Sequence, residues 1–191
     1  MKKLFLLTVS TLMLTACAFS QSTYSIDKNH TRVSFSATHF GISHVEGNFN
    51  LIDASLVSAK TDFTEAVFTF TAQVNSINTD VEYRDNDLKS SAYFDVAKFP
   101  EITFKSTSFK KTKGKNYLLS GNITIHGVTR PITFNVVYNG TAVTAMKKPT
   151  AGFTIKGKLN RLDFGVGSDP LVSGVSNQIE LKSNIEFTVN K

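Results

Sequence analysis

The chain has 191 residues, long enough to bury one substantial core, with a formal net charge of +6, sixteen phenylalanines, no tryptophan and one cysteine. Because that cysteine is Cys17, near the N-terminus, the folded domain holds no internal disulfide, thiol nucleophile or cysteine-based metal site. The basic residues are scattered apart from the run 110–115, which reads as a solvated hairpin tip. With no basic stripe interleaved with aromatics, nucleic acid is not an expected partner.

Lys2-Lys3 followed by the apolar stretch 4–16 forms an export leader, too short to span a bilayer as a helix. Ala18-Phe19-Ser20 offers the small residues an ordinary signal peptidase needs, leaving Gln21 first. Leu14-Thr15-Ala16-Cys17 instead resembles a lipobox, in which Cys17 would carry lipid. Residues 1–20 are therefore read as a signal peptide and residues 21–191 as one domain. A periplasmic product is expected, with a membrane-anchored lipoprotein as the alternative; lipidation of Cys17 would hold the domain close to a membrane.

Beyond residue 21 the apolar residues recur with period two, the pattern of strands that bury one face. Residues 31–38 place Val33, Phe35 and Ala37 together. Residues 44–51 follow as their partner, with Gly47 marking a bulge or corner. Residues 65–74 put Ala66, Phe68, Phe70, Ala72 and Val74 on one face, small and large in turn, as the taper of a small barrel requires. Thr79-Asp80-Val81-Glu82 then fits a capping box, which predicts a short helix over about residues 80–90. Phe99-Pro100 ends the corner after it. Residues 102–109 and 116–126 read as a hairpin around the lysine-rich tip. A turn at 127–130 leads to strands at 131–143 and 150–159, a glycine-punctuated loop at 160–174, and a last strand at 176–189. There is no βαβ rhythm. The fold class is all-β: an eight-stranded antiparallel barrel with one short helix closing an end. Such a barrel has room for packed side chains or one small or slender ligand.

Chemistry-bearing patterns are sparse. His30, His39, His44 and His126 lack the spacing of a tight metal site, although His39 and His44 flank a turn. No Gly-x-Ser-x-Gly elbow or phosphate-binding glycine loop occurs. Asp85, Asp87, Asp95 and Asp163 lie beside Arg84, Lys89, Lys98 and Arg161, which points to salt bridges rather than to paired acid and base. No catalytic residue, metal or cofactor is assigned. Periodicity alone leaves a filled core and a hollow lumen equally open.

Four motifs in order resemble the YceI-like family. They are Tyr24-Ser25-Ile26-Asp27-Lys28-Asn29-His30-Thr31, with Tyr24 in place of the usual Trp; the stretch from Arg84-Asp85 through Phe94-Asp95 and Phe99-Pro100 to Phe104; Gly121-Asn122-Ile123-Thr124-Ile125-His126-Gly127-Val128-Thr129-Arg130-Pro131-Ile132; and Asn160-Arg161-Leu162-Asp163-Phe164-Gly165. The resemblance implies a lipocalin-like periplasmic barrel that holds a long amphiphile, such as a polyisoprenoid, an isoprenoid quinone or a fatty-acid derivative, with no established catalysis. On that reading the lumen is lined by Phe35, Phe68, Phe70, Phe94, Phe104, Ile123, Ile125, Phe134, Phe153 and Phe164. Arg84 with Asp85, and Arg161 with Asp163, are expected as ion pairs closing the barrel end. The expected partner is a lipid, and homodimer formation is left open. Two other functions compete: an enzyme or accessory factor acting on such a lipid, with His39 or His44 beside an acid at the mouth, and a stress-response domain with a filled barrel.

Overall fold

A computed structural model describes residues 21–145, 147–169 and 173–190. The expected leader and Cys17 lie outside them. In chain order the elements are β1 (Ser22–Ile26), β2 (Arg32–His39), β3 (Ser43–Phe49), β4 (Ile52–Ser58), β5 (Val67–Gln73), β6 (Ile77–Asn78), α1 (Glu82–Lys89), β7 (Glu101–Lys111), β8 (Asn116–Ile125), β9 (Val128–Val143), β10 (Pro149–Asn160) and β11 (Val175–Val189), with 3₁₀ turns at Val74–Ser76 and Arg161–Phe164.

All the strand pairings are antiparallel, and they close on themselves in the order β1-β4-β5-β7-β8-β9-β10-β11, with β11 returning to β1. β2 carries on along β11 where β1 leaves off, β3 pairs with β2, and β6 pairs with β3. Thus β1 with β2, β3 with β4, and β5 with β6 are each one strand path broken near its middle. The eleven segments trace eight staves, the barrel expected from the alternation. The expected strand 44–51 covers only the first half of its stave. Asn50-Leu51 steps out of phase, after which Ile52, Ala54, Leu56 and Ser58 resume a buried alternation.

The interior is filled unevenly. At the lower end, where β4 hands over to β5, residues 59–66 fold back under the barrel and insert Phe63, which is only 2% exposed. Its ring makes edge-to-face contacts with Tyr24, Tyr138 and Phe153, at centroid distances of 5.5, 5.3 and 5.4 Å. Phe68, Phe109, Tyr117 and Phe187 extend the cluster, with Phe109 stacked on Tyr117 at 4.6 Å. The Tyr117 hydroxyl donates to the Asp62 carbonyl at 2.7 Å, tying the loop to the wall. Each such aromatic pair adds about 0.5–1.5 kcal/mol beyond area burial. That gain holds Phe63 at φ 62° and Glu65 at φ 68°, backbone values that are costly for residues with side chains.

At the upper end the helix forms, but not by the expected capping box. α1 starts at Glu82 after an N-cap residue, Val81, that offers no side-chain cap. Asp80 sits at φ 60°, which separates Thr79 from the first turn. The Thr79 hydroxyl donates instead to Asp85 Oδ1 at 2.6 Å. The turn between β8 and β9 is His126-Gly127, so β9 begins at Val128, three residues earlier than the sequence indicated.

Replacing Phe63 by Ala empties the centre of the lower cluster. The expected loss is about 3–5 kcal/mol of unfolding free energy, read as a lowered denaturation midpoint in urea with an unchanged slope.

Candidate functional site: an apolar cavity in the upper barrel

Above the aromatic floor the barrel is hollow. A cavity of about 130 Å³ is lined from β2, β3, β4, β5, β7, β8, β9, β10 and β11. It is close in size to an engineered interior cavity of about 150 Å³ that stays dry and takes benzene. Six of the ten expected lining residues meet there: Phe68, Phe70, Phe104, Ile123, Ile125 and Phe134. The other four serve neighbouring structures. Phe153 is fully buried in the floor. Phe35 packs on Phe49 at 5.8 Å, and its ring crosses Gly47, so Gly47 marks a close approach within regular pairing rather than a bulge. Phe94 meets Phe49 edge-on at 6.4 Å. Phe164 is buried in the 3₁₀ turn at the upper end.

Sequence reasoning missed Phe49, Leu159, Leu181 and Ile185, which also line the space. The alternation of β10 and β11 marks three of these as facing inward. Phe49 is hidden by the break in its stave.

The hollow survives because glycines sit beside its largest side chains. A methyl group at Gly121 would collide with the Phe104 ring, and one at Gly157 with the Phe134 ring. The two rings therefore lie flat against neighbouring strands and meet edge-on at 5.5 Å instead of filling the centre.

The upper end is closed by α1, residues 90–100 and the 3₁₀ turn. The expected ion pairs do not form as pairs. Arg84 and Asp85 converge on Thr79: Arg84 Nε donates to Thr79 Oγ1 and Nη2 to the Thr79 carbonyl, both at 2.8 Å, while Asp85 Oδ1 accepts from the Thr79 backbone N–H at 2.8 Å. Arg161 is buried and donates to the carbonyls of Val166, Gly167 and Ser176 and to Asn177 Oδ1, whereas Asp163 is exposed. A guanidinium with five donors satisfies acceptors of the segment after the 3₁₀ turn and of the start of β11 at once. His126 adds a latch. Its Nδ1 donates to the Phe164 carbonyl at 3.2 Å, and its ring meets Phe99 at 4.5 Å.

The remaining histidines lie elsewhere. His39 pairs with Ser43 and His44 with Thr38, so the two histidines face opposite sides of the hairpin and do not approach each other across it. His30 lies in the break between β1 and β2, with Nδ1 2.9 Å from Asp27 Oδ2. That hydrogen bond raises His30 above the ordinary imidazole value and lowers Asp27 below the ordinary carboxylate value. With Glu186 they bring three potential ligand atoms within 4.8 Å of one another, the one such group among the described residues. Glu186 lies far away in sequence, which is why the spacing of the histidines gave no sign of it.

The chain was compared with known proteins. The family model described as a YceI-like domain matches residues 24–187. Protein YceI of Salmonella arizonae is 32% identical over 192 aligned positions, covering 100% of this chain and 99% of that protein. Among solved structures, Burkholderia cenocepacia BcnA superposes with a TM-score of 0.75 at 21% identity, covering 84% of this chain and 98% of that one. A polyisoprenoid binding domain from Saccharophagus degradans superposes with a TM-score of 0.64 at 15% identity, covering 87% and 98%. These last two likenesses show the fold.

Two outcomes are expected. Gly157→Ala pushes Phe134 into the cavity and costs about 1–3 kcal/mol through overpacking, measured by chemical denaturation. The Asp27–His30 bond gives its full stabilisation between the unfolded-state values, about 3.9 for Asp and 6.5 for His. It fades as pH rises through the raised His30 value and as pH falls through the lowered Asp27 value. The melting-temperature gap between wild type and His30→Asn is therefore widest near pH ~5 and narrows above pH ~7.

Proposed function

The chain belongs to the YceI-like family, and we propose that it is an exported carrier or reservoir for a neutral or amphiphilic lipid such as a polyisoprenoid, an isoprenoid quinone or a fatty-acid derivative. The observation that carries this reading is the apolar cavity set into one half of a barrel whose other half is solid. A protein that needed only a core would gain stability by filling that space. The fold shared with a polyisoprenoid binding domain supports the same reading.

Burial of hydrocarbon supplies the affinity. Each CH₂ moved from water into such a wall contributes about 0.8 kcal/mol, so chain length and branching govern binding. The present volume suits a ring or a short prenyl segment. A longer chain enters as the upper-end side chains, Phe49 and Phe94 among them, move aside. The aromatic floor stops it from passing through. Binding rather than catalysis is the reading, since the wall is apolar. Export to the periplasm by the leader, with or without lipidation of Cys17, places the carrier where lipids leave one membrane for another.

Native mass spectrometry of the protein purified from its own periplasm tests this. The expected spectrum shows a bound lipid of a few hundred daltons or more, released on activation. A bare protein that also refuses added quinone and polyprenol would overturn the carrier reading.

A further inference from the structure

The cavity wall has one polar exception. Ser183 stands at an inward position of β11, across from Ile155 on β10 and Val33 on β2, between Leu181 and Ile185 on its own strand. Its hydroxyl oxygen is buried, and it is the one buried side-chain polar atom without a hydrogen-bond partner among the described residues. The other polar residues at the cavity, Ser34, Thr69 and Lys182, occupy outward positions of their strands; Thr69 Oγ1 lies 2.7 Å from Ser55 Oγ.

A buried hydroxyl left unbonded lowers stability, and replacing it with an apolar group of similar shape is close to neutral or favourable. Water does not repair the loss. An ordered interior water needs about two to four polar partners, and this wall offers one side chain. The missing partner must come in with the ligand. It is an uncharged partner, because the inward positions provide no cation or second donor for an ionised group, and burying an unpaired charge is prohibitive.

We propose that Ser183 is the polar contact of the lumen, binding a neutral oxygen, hydroxyl or carbonyl, of an otherwise apolar ligand. This rests on the lipid-binding reading and sharpens it. The oxygen sits in mid-barrel rather than at the mouth, and the site discriminates an oxygenated isoprenoid from a plain hydrocarbon and from a phosphorylated one.

Three probes with the same fifteen-carbon skeleton test it: farnesol, farnesene and farnesyl phosphate, each titrated against the lipid-stripped exported protein by displacement of N-phenyl-1-naphthylamine. Wild type is expected to bind farnesol roughly fivefold to tenfold tighter than farnesene, the worth of one neutral hydrogen bond, and farnesyl phosphate more weakly than farnesol. Ser183→Ala abolishes the farnesol preference while keeping the farnesene affinity, and melts no lower than wild type. Ser183→Thr, which retains the hydroxyl, retains the preference. Should Ser183→Ala fail to fold, Ser183→Cys serves in its place, the thiol being a weak donor.

Equal binding of farnesol and farnesene by wild type, or a preference that persists in Ser183→Ala, overturns the role of Ser183. Farnesyl phosphate binding as tightly as farnesol overturns the neutral-oxygen assignment. Failure of wild type to take up the fluorescent probe or any of the three compounds overturns the lipid-binding reading itself.

Discussion

The lower half of the barrel closes on β11 through a very short seam. Only Tyr24, Ser25 and Ile26 of β1 pair with Val189, Thr188 and Phe187 of β11. The chain then bends away and rejoins the same strand as β2. Across the bend, the Asp27 N–H donates to the Glu186 carbonyl at 2.8 Å and the Glu186 N–H donates to Thr31 Oγ1 at 3.1 Å, while Asp27 grips His30. Without these bonds β11 would be unpaired between its β1 and β2 stretches, leaving a gap in the wall. The Ile26-Asp27-x-x-His30-Thr31 motif is therefore a splice that holds two half-staves to one neighbour.

Once the sheet closes, its interior is partitioned by side-chain size. Phenylalanine and tyrosine from loop and wall meet edge to face below, where Phe63 supplies the ring no strand provides. Above, glycines on β8 and β10 let Phe104 and Phe134 lie against the wall. The same residue type thus builds a plug in one half and a surface in the other. What differs is whether the neighbouring strand presents a side chain or a bare backbone.

Much of this was legible in the sequence. The inward faces of β5, β8, β9, β10 and β11 follow from strict alternation, and the eight-stave count follows from the turns between them. The breaks were not legible, because a stave that bends at 27–31, 50–51 or 74–76 shifts phase and hides its second half. Nor did local spacing reveal partners fixed by closure. Arg84 and Asp85 are adjacent and of opposite sign, yet both answer to Thr79. Asp163 is near Arg161 in sequence, yet it points to solvent while the arginine turns inward to backbone carbonyls. Phe153 and Phe104 occupy equivalent inward positions on their strands. Only the loop that carries Phe63 decides that one is floor and the other wall.

The unequal filling also governs how the molecule responds to compression. Proteins unfold under pressure because voids present in the native state vanish when the chain opens, with volume decreases of roughly 20–100 mL/mol. Here an apolar chamber of about 130 Å³ lies in the upper half, and its collapse on unfolding contributes to that volume loss. An occupant would remove that volume from the native state. The loaded barrel would then resist hydrostatic pressure that opens the empty one, and mechanical compressibility becomes a direct measure of cargo.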